Sequence, residues 1–581
     1  MTVALYGFGV SRGVAIGRAC ILARGALDIV EYAIPNKFVD EEVARFEAAL
    51  ATARRQLKEI RNHIPTNTPV DIAAFIDTHL LMMEDTSLAT APIHSIRTIK
   101  CNAEWALKLQ RDALVRVFDQ IDDPYLRTRK DDIDHVVNRI QRILLNESTH
   151  LHDAAATGNR LNGYIVLADD LSPADTVFMQ HQGVVAFVTE YGGATSHTTI
   201  LARSLGIPAI VGVRNARRYF QPNEQLIVDG QQGLILATKD PAIVDYYRGE
   251  QAEEQRHREQ LSKTREKPAI SLDRETIALY ANIELPEDLS AIARAGAKGV
   301  GLYRTELLFM NRDDTPGEEE QFNAYRQVVE AMKGALVTIR TLDIGADKQI
   351  SGLNGTIPAN PALGLRAIRL CLKDPSLFKP QLRAILRASV YGQVRMMVPM
   401  LSTLHEVLHV MQLVEDSKRE LRHQGREFNA QMPLGGMIEV PAAALSADLF
   451  AKHLDFLSIG TNDLIQYTIA TDRIDDSVNY LYDPLHPAVL RLIQMTIDAG
   501  RRAAIPVGMC GEMAGDSKYT RLLLGMGLRE FSMHPTLILE VKRIVRASNV
   551  AVLSDTVNSV ISRAHPDEIV ALVNTLNRDD F

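Results

Sequence analysis

A histidine can carry a charged group when its neighbours hold that group against the ring. His197 meets this condition in the run GGATSHTTILARSLGIPAIVG, residues 192–212. Gly192 and Gly193 let the chain turn sharply after a strand-like run. Thr195 and Ser196 can cap the helix predicted over about 197–205, and His197 falls in its first turn. A helix start presents free N–H groups and the positive end of the peptide dipoles. With the hydroxyls of Thr195, Ser196 and Thr198 beside it, a phosphoryl group on His197 would be stabilised there. Most histidines are packed core residues, and the others in this chain read that way. His79, in FIDTHLLMMED, reads equally as packing or as a contact to the histidine segment that orients His197.

A second set of reactive side chains is spread over the C-terminal half: Arg304 and Arg340, then Glu439, Asn462, Asp463 and Cys510. Guanidinium groups can hold phosphate or carboxylate bidentately. Glu439 and Asp463 are hard oxygen donors from separate segments and suit Mg²⁺, which keeps room for water and substrate oxygens; the alternative is that they pair with the arginines. A buried free cysteine is usually inert, so Cys510 needs its position to give it a task. Cys20, Cys101 and Cys371 lack such a setting and read as structural.

One architecture would bring these groups together. From Ile277 onward, strand and helix alternate, with strands predicted to begin near Ile277, Gly299, Leu336, Val394, Leu434, Phe456, Pro506 and Leu528. Eight such units predict a (β/α)₈ barrel over 268–581. Arg304, Arg340, Glu439, Asn462–Asp463 and Cys510 then fall at strand ends, which share the face where barrel enzymes keep their sites.

Ahead of the barrel, residues 1–30 and 151–240 carry short apolar runs and predict one α/β domain, since the first stretch is too short to bury a core alone. Residues 31–150 switch to spacings of three and four (Val39, Val43, Phe46, Leu50) and predict an inserted helical bundle. Residues 241–267 are densely charged and predict a solvated linker helix. The formal net charge of −8 disfavours whole-chain attraction to nucleic acid or anionic lipid. No run of 18 apolar residues spans a membrane, and the start has no secretory-signal pattern. Four scattered cysteines exclude a disulfide framework and fit a cytoplasmic protein.

GGATSHTTI resembles the phosphohistidine motif of the phosphoenolpyruvate-utilising enzymes. DFLSIGTNDLIQYTIATDR (455–473) matches a second motif of that family independently. GLYRTELLFM (301–310), RTLDIGADK (340–348), NPALGLRAIR (360–369), IEVPAAA (438–444) and GMCGEMAGD (508–516) follow in family order. Within the family the whole chain is most similar to the Enzyme I group of the bacterial sugar phosphotransferase system. The resemblance implies that phosphoenolpyruvate phosphorylates His197 and that the phosphoryl group passes to the phosphocarrier HPr, docked on the helical bundle. It implies that Arg304, Arg340 and Arg473 hold substrate phosphate and carboxylate oxygens, that Arg366 is a further substrate-binding candidate with Lys348 less sharply placed, and that Asn462 donates to phosphate. Glu439 and Asp463 would ligate Mg²⁺, Cys510 would protonate C3 of the enolate, and the barrel would form a homodimer. The bundle's net charge of about −3 is a weak sign of a basic partner. Two positions depart from the pattern: Ala194 stands where arginine is frequent, and Val440 where threonine is.

A dikinase or synthase of the same family would need an ATP-binding domain ahead of the histidine segment. Fewer than thirty residues precede the helical insertion, and no GxxxxGK[ST] loop is present. A non-catalytic scaffold would have lost His197, Cys510 or an acidic ligand, and all are present. A nitrogen-regulatory paralogue would carry an extra N-terminal sensory domain, for which the same short stretch leaves no place.

Overall fold

A computed structural model describes residues 2–11, 13–22, 29–63, 70–119, 124–145, 161–169, 171, 179, 182–191, 207–284, 288–309, 314–345, 360–472, 478–560 and 565–578. The chain divides into two compact units, Met1–Arg258 and Glu259–Phe581. The division falls within the charged helix Pro241–Ser262, whose buried residues are Val244 and Tyr247 near its start.

In the first unit, β1 (Val3–Tyr6), β2 (Phe8–Ser11) and β3 (Val14–Ile21) join β4 (Tyr164–Ala168), β5 (Ala186–Thr189), β6 (Ala209–Val211), β7 (Gln225–Asp229) and β8 (Leu234–Ala237). The sheet order is β1-β8-β7-β3-β4-β5-β6-β2. Strands β3 to β6 are parallel neighbours, and β1, β2, β7 and β8 pair antiparallel. Strands β4 and β5 are almost wholly buried, as apolar runs without alternation require. The chain leaves β5 through Thr189, Glu190 and Tyr191 into residues 192–206. His197, with its flanking hydroxyls, therefore lies outside the described residues.

Between β3 and β4 run α1 (Val39–His63), α2 (Val70–Glu84), α3 (Thr86–Ala89), α4 (Ala91–Ile99), α5 (Ala103–Asp119) and α6 (Pro124–Leu144). Phe46, Leu57, Ile76, Met83, Leu107 and Ile140 form their common core. Pro92 and Pro124 sit at helix starts, where the missing N–H has no intrahelical bond to lose. The same inward stripe of α2 that buries Ile76 and Met83 also buries His79.

The second unit is a closed eight-stranded parallel barrel, the fold the alternation predicts. Its strands are β9 (Ala278–Ile283), β10 (Gly299–Tyr303), β11 (Leu336–Arg340), β12 (Val394–Val398), β13 (Leu434–Ile438), β14 (Phe456–Ile459), β15 (Val507–Met509) and β16 (Glu530–Met533). All run the same way, so their carboxyl ends lie on one face. Among the described residues, no helix is long and apolar enough to cross a membrane.

Candidate active site

The carboxyl face of the barrel gathers the charged groups. Arg340 closes β11 and is nearly buried. Its Nη2 donates to Glu306 Oε1 at 3.0 Å, and its Nη1 lies 3.1 Å from Asp343 Oδ2. Burial alone would lower its affinity for a proton, but Glu306, Asp343 and Glu439 outweigh that and keep it charged. Arg366 follows the same pattern: its Nη2 donates to Asp343 Oδ1 at 2.8 Å and lies 3.5 Å from Asp463 Oδ2. Its Nη1 donates to the Tyr467 hydroxyl at 3.3 Å, and that hydroxyl donates to the Ala362 carbonyl at 2.5 Å. Asp343 thus bridges the two guanidinium groups and fixes their spacing.

Glu439 follows β13 and is 2 % exposed. Its Oε1 accepts the Met400 backbone N–H at 2.6 Å. Met400 adopts φ +58°, a left-handed conformation that is costly for a side-chain-bearing residue, and it presents that N–H beyond β12. Burial, then the neighbouring Asp463 and Asp343, push the Glu439 carboxyl up to about 8. Three carboxylates crowded in a dry place repel one another, and a dication relieves that repulsion. The donors are all oxygen, so Glu439 and Asp463 fit a magnesium ion.

Asp463 and Asn462 stand in the first turn of the helix Thr461–Ile469 that follows β14. Asn462 is held by Glu512, whose backbone N–H donates to Asn462 Oδ1 at 2.9 Å, while Asn462 Nδ2 donates to Glu512 Oε1 at 3.1 Å. Arg304, after β10, is half-exposed and paired with Glu284 at 2.5 Å.

Cys510 follows β15 and is 4 % exposed. It shares an apolar cluster with Leu302, Met397, Met437 and Phe456. Burial raises its thiol above the ordinary range, while the Ser458 hydroxyl, Arg340 and Arg304 pull the other way. The group is therefore a thiol at neutral pH, able to give a proton and leave a thiolate that a guanidinium stabilises. Asn282 Nδ2 donates to the Cys510 carbonyl at 3.1 Å and fixes the turn from below.

Arg340, Arg366, Glu439, Asp463 and Cys510 are thus brought together, with Arg304 and Asn462 on the same face. Arg473 and Lys348 lie outside the described residues. Sequence reasoning missed Glu306, Tyr467 and Ser458 as supports; each sits inside a quoted motif, but nothing in its residue type announced its partner.

The model of the phosphoenolpyruvate-utilising enzymes' PEP-binding domain matches residues 258–550, that of their N-terminal domain 6–129, and that of their mobile domain 161–233. The chain is 47% identical to the phosphoenolpyruvate-protein phosphotransferase of Cupriavidus necator over 585 residues, covering all of both chains. It is 39% identical to that of Staphylococcus carnosus, again over all of both. It belongs to the phosphoenolpyruvate-protein phosphotransferase family. That of Listeria innocua is 40% identical, with 99% of each chain covered. The family's PEP-binding stretch contains every described barrel residue named above, and its mobile stretch contains His197.

Proposed function

We propose that this chain transfers the phosphoryl group of phosphoenolpyruvate to its own His197, releases pyruvate, and passes the group to the phosphocarrier HPr. The observation that carries this reading is the convergence of two buried guanidinium groups, two carboxylates and a protonated thiol at one barrel end. A small substrate with a phosphate at one end and a carboxylate at the other needs cations at both, and Arg340 and Arg366 are largely desolvated and fixed by Asp343. Arg304 and Arg473 complete the phosphate and carboxylate contacts, and Asn462 donates to a phosphate oxygen. Glu439 and Asp463 would hold Mg²⁺. When bound, the ion offsets charge on the substrate carboxylate and phosphate as the enolate forms.

The His197 imidazole attacks phosphorus in line, and the P–O bond to the enol oxygen breaks. The enolate left behind takes a proton at C3 from Cys510, giving pyruvate and a thiolate beside Arg340. His197 then meets HPr on the helical bundle, for which the bundle's acidic charge supports a basic partner. The charged helix Pro241–Ser262 supports a swing of the histidine segment between the two. A homodimer through the barrel is supported by its exposed Leu363, Leu445, Leu449 and Tyr480. The four free cysteines support a cytoplasmic setting.

Mass spectrometry after treatment with phosphoenolpyruvate and Mg²⁺ tests the reading. An acid-labile phosphate on His197 is expected, lost in His197→Ala and transferred on adding HPr. Labelling from γ-labelled ATP without phosphoenolpyruvate would overturn it.

A further inference from the structure

Within the helices of the first unit, three metal-ligating side chains converge. His79 of α2 and Asp132 and His135 of α6 each offer one ligand atom, and these atoms lie within 4.8 Å of one another. The spacing on α6 explains half of this: residues three apart share a helix face. The packing of α2 against α6 explains the rest, because the inward stripe of Ile76, His79 and Met83 aims His79 at that face. His79 is 4 % exposed and Asp132 2 %, while His135 is half-buried and leaves an approach. His79 Nε2 lies 3.3 Å from Asp132 Oδ1, and the two imidazole rings meet edge to face at 6.2 Å between centroids. A hydrogen-bonded His–Asp pair needs no third group. What sets this place apart is a second imidazole delivered to the same point by the next turn of α6. Burial holds the His79 ring below the ordinary histidine range against the opposing pull of Asp132, with His135 and Arg139 adding to it.

We propose that His79, Asp132 and His135 form a site for a divalent transition ion of the zinc class, which clamps α2 to α6. Two imidazoles and one carboxylate are a donor set that favours such ions over Mg²⁺. Three protein ligands leave the fourth position to water. Bonds of about 2 Å in a tetrahedron place ligand atoms about 3.3 Å apart, so the side chains close by roughly an ångström on binding. Facing ligands on packed helices are a common way to build such a centre. The charge of Arg139 acts at His79 and opposes a cation there.

The test titrates the full-length protein with Co²⁺ in excess Mg²⁺. One equivalent is expected to give the intense visible bands of tetrahedral cobalt, displaced by Zn²⁺, and Zn²⁺ is expected to raise the Tm. His135→Gln and His79→Gln should each weaken binding about tenfold or more, whereas Glu439→Gln should leave it unchanged. Absence of tetrahedral bands in the unaltered protein overturns the proposal. So does unchanged affinity in His135→Gln with a native circular dichroism spectrum. His135 is only half-buried, so its variant decides the matter should His79→Gln not fold.

Discussion

The Ser458 hydroxyl donates to the Cys510 sulfur across 3.4 Å, tying β14 to the end of β15 beneath the charged cluster. Its carbon neighbours are apolar, so this bond, with the fields of Arg340 and Arg304, is what favours a thiolate against burial and the opposing charge of Glu439. Replacing the hydroxyl by hydrogen removes about 1 kcal/mol of that support. Ser458→Ala is expected to slow Cys510 alkylation by iodoacetamide roughly fivefold at fixed pH, followed by peptide mass spectrometry. Alkylation at the unaltered rate would refute the coupling.

Glu439 sets a pH dependence whose sign follows from its raised carboxyl. In the unfolded chain the group ionises above its ordinary 4.5, while the folded protein keeps the proton up to about 8. Between those values the folded state holds more protons, so this group's contribution to stability falls as pH rises. A bound dication reverses the effect, because it needs the ionised carboxylate. The Tm gain on adding Mg²⁺ should therefore be larger at pH 8 than at pH 6. Glu439→Gln should remove the difference. An equal gain at both pH values in differential scanning fluorimetry would contradict this.

Glu306 is a support whose loss should be felt twice. It is 6 % exposed, accepts from Arg340 and also accepts the Asp343 backbone N–H at 3.0 Å. Removing one partner of a buried ion pair strands the other, typically at a cost of about 3–5 kcal/mol. Asp343 still faces Arg340, so Glu306→Ala should lie near the lower bound, at about 3 kcal/mol in urea denaturation. Glu306→Gln keeps an acceptor for the Asp343 N–H and should cost less. Both should raise the KM for phosphoenolpyruvate. An unchanged KM in Glu306→Gln would mean that Arg340 is aligned without it.

The barrel was legible because eight short apolar runs, each followed by a helical period, leave little choice of architecture. Predicted strand starts at Gly299, Leu336, Val394, Leu434 and Phe456 coincide with the observed ones. Polar residues stood out against those runs, so Arg340 and Glu439 could be placed at strand ends from order alone. What could not be read was pairing across the face. Asp343 bridges Arg340 and Arg366 because a loop beyond β11 turns it inward, and no periodicity encodes that. Met400 gave no sign either, since its part is played by a backbone N–H in a left-handed conformation. His79 reads ambiguously because one polar residue on an apolar stripe looks the same whether the stripe faces a partner or the core; its burial with Asp132 places it inside the bundle.

Gly511 offers the sharpest steric test of the site's spacing. It separates Cys510 from Glu512, and a Cβ added there would lie 2.0 Å from Thr461 Oγ1 and 2.6 Å from the Thr461 backbone nitrogen. Contacts that short cannot be absorbed by a side-chain rotation alone, because one of the two atoms is main chain. Gly511→Ala must therefore push the end of β15 away from the start of the helix Thr461–Ile469. That movement separates Cys510 from Ser458 and loosens the Glu512–Asn462 bonds together. Overpacking of this kind costs about 1–3 kcal/mol, so the variant should still fold. Pyruvate formation should fall much further than stability does, since alignment errors of an ångström can cost on the order of a hundredfold in rate. Parallel measurement of urea denaturation and pyruvate release checks the difference. Activity that declines only in step with the folded fraction would show that this spacing does not govern the chemistry.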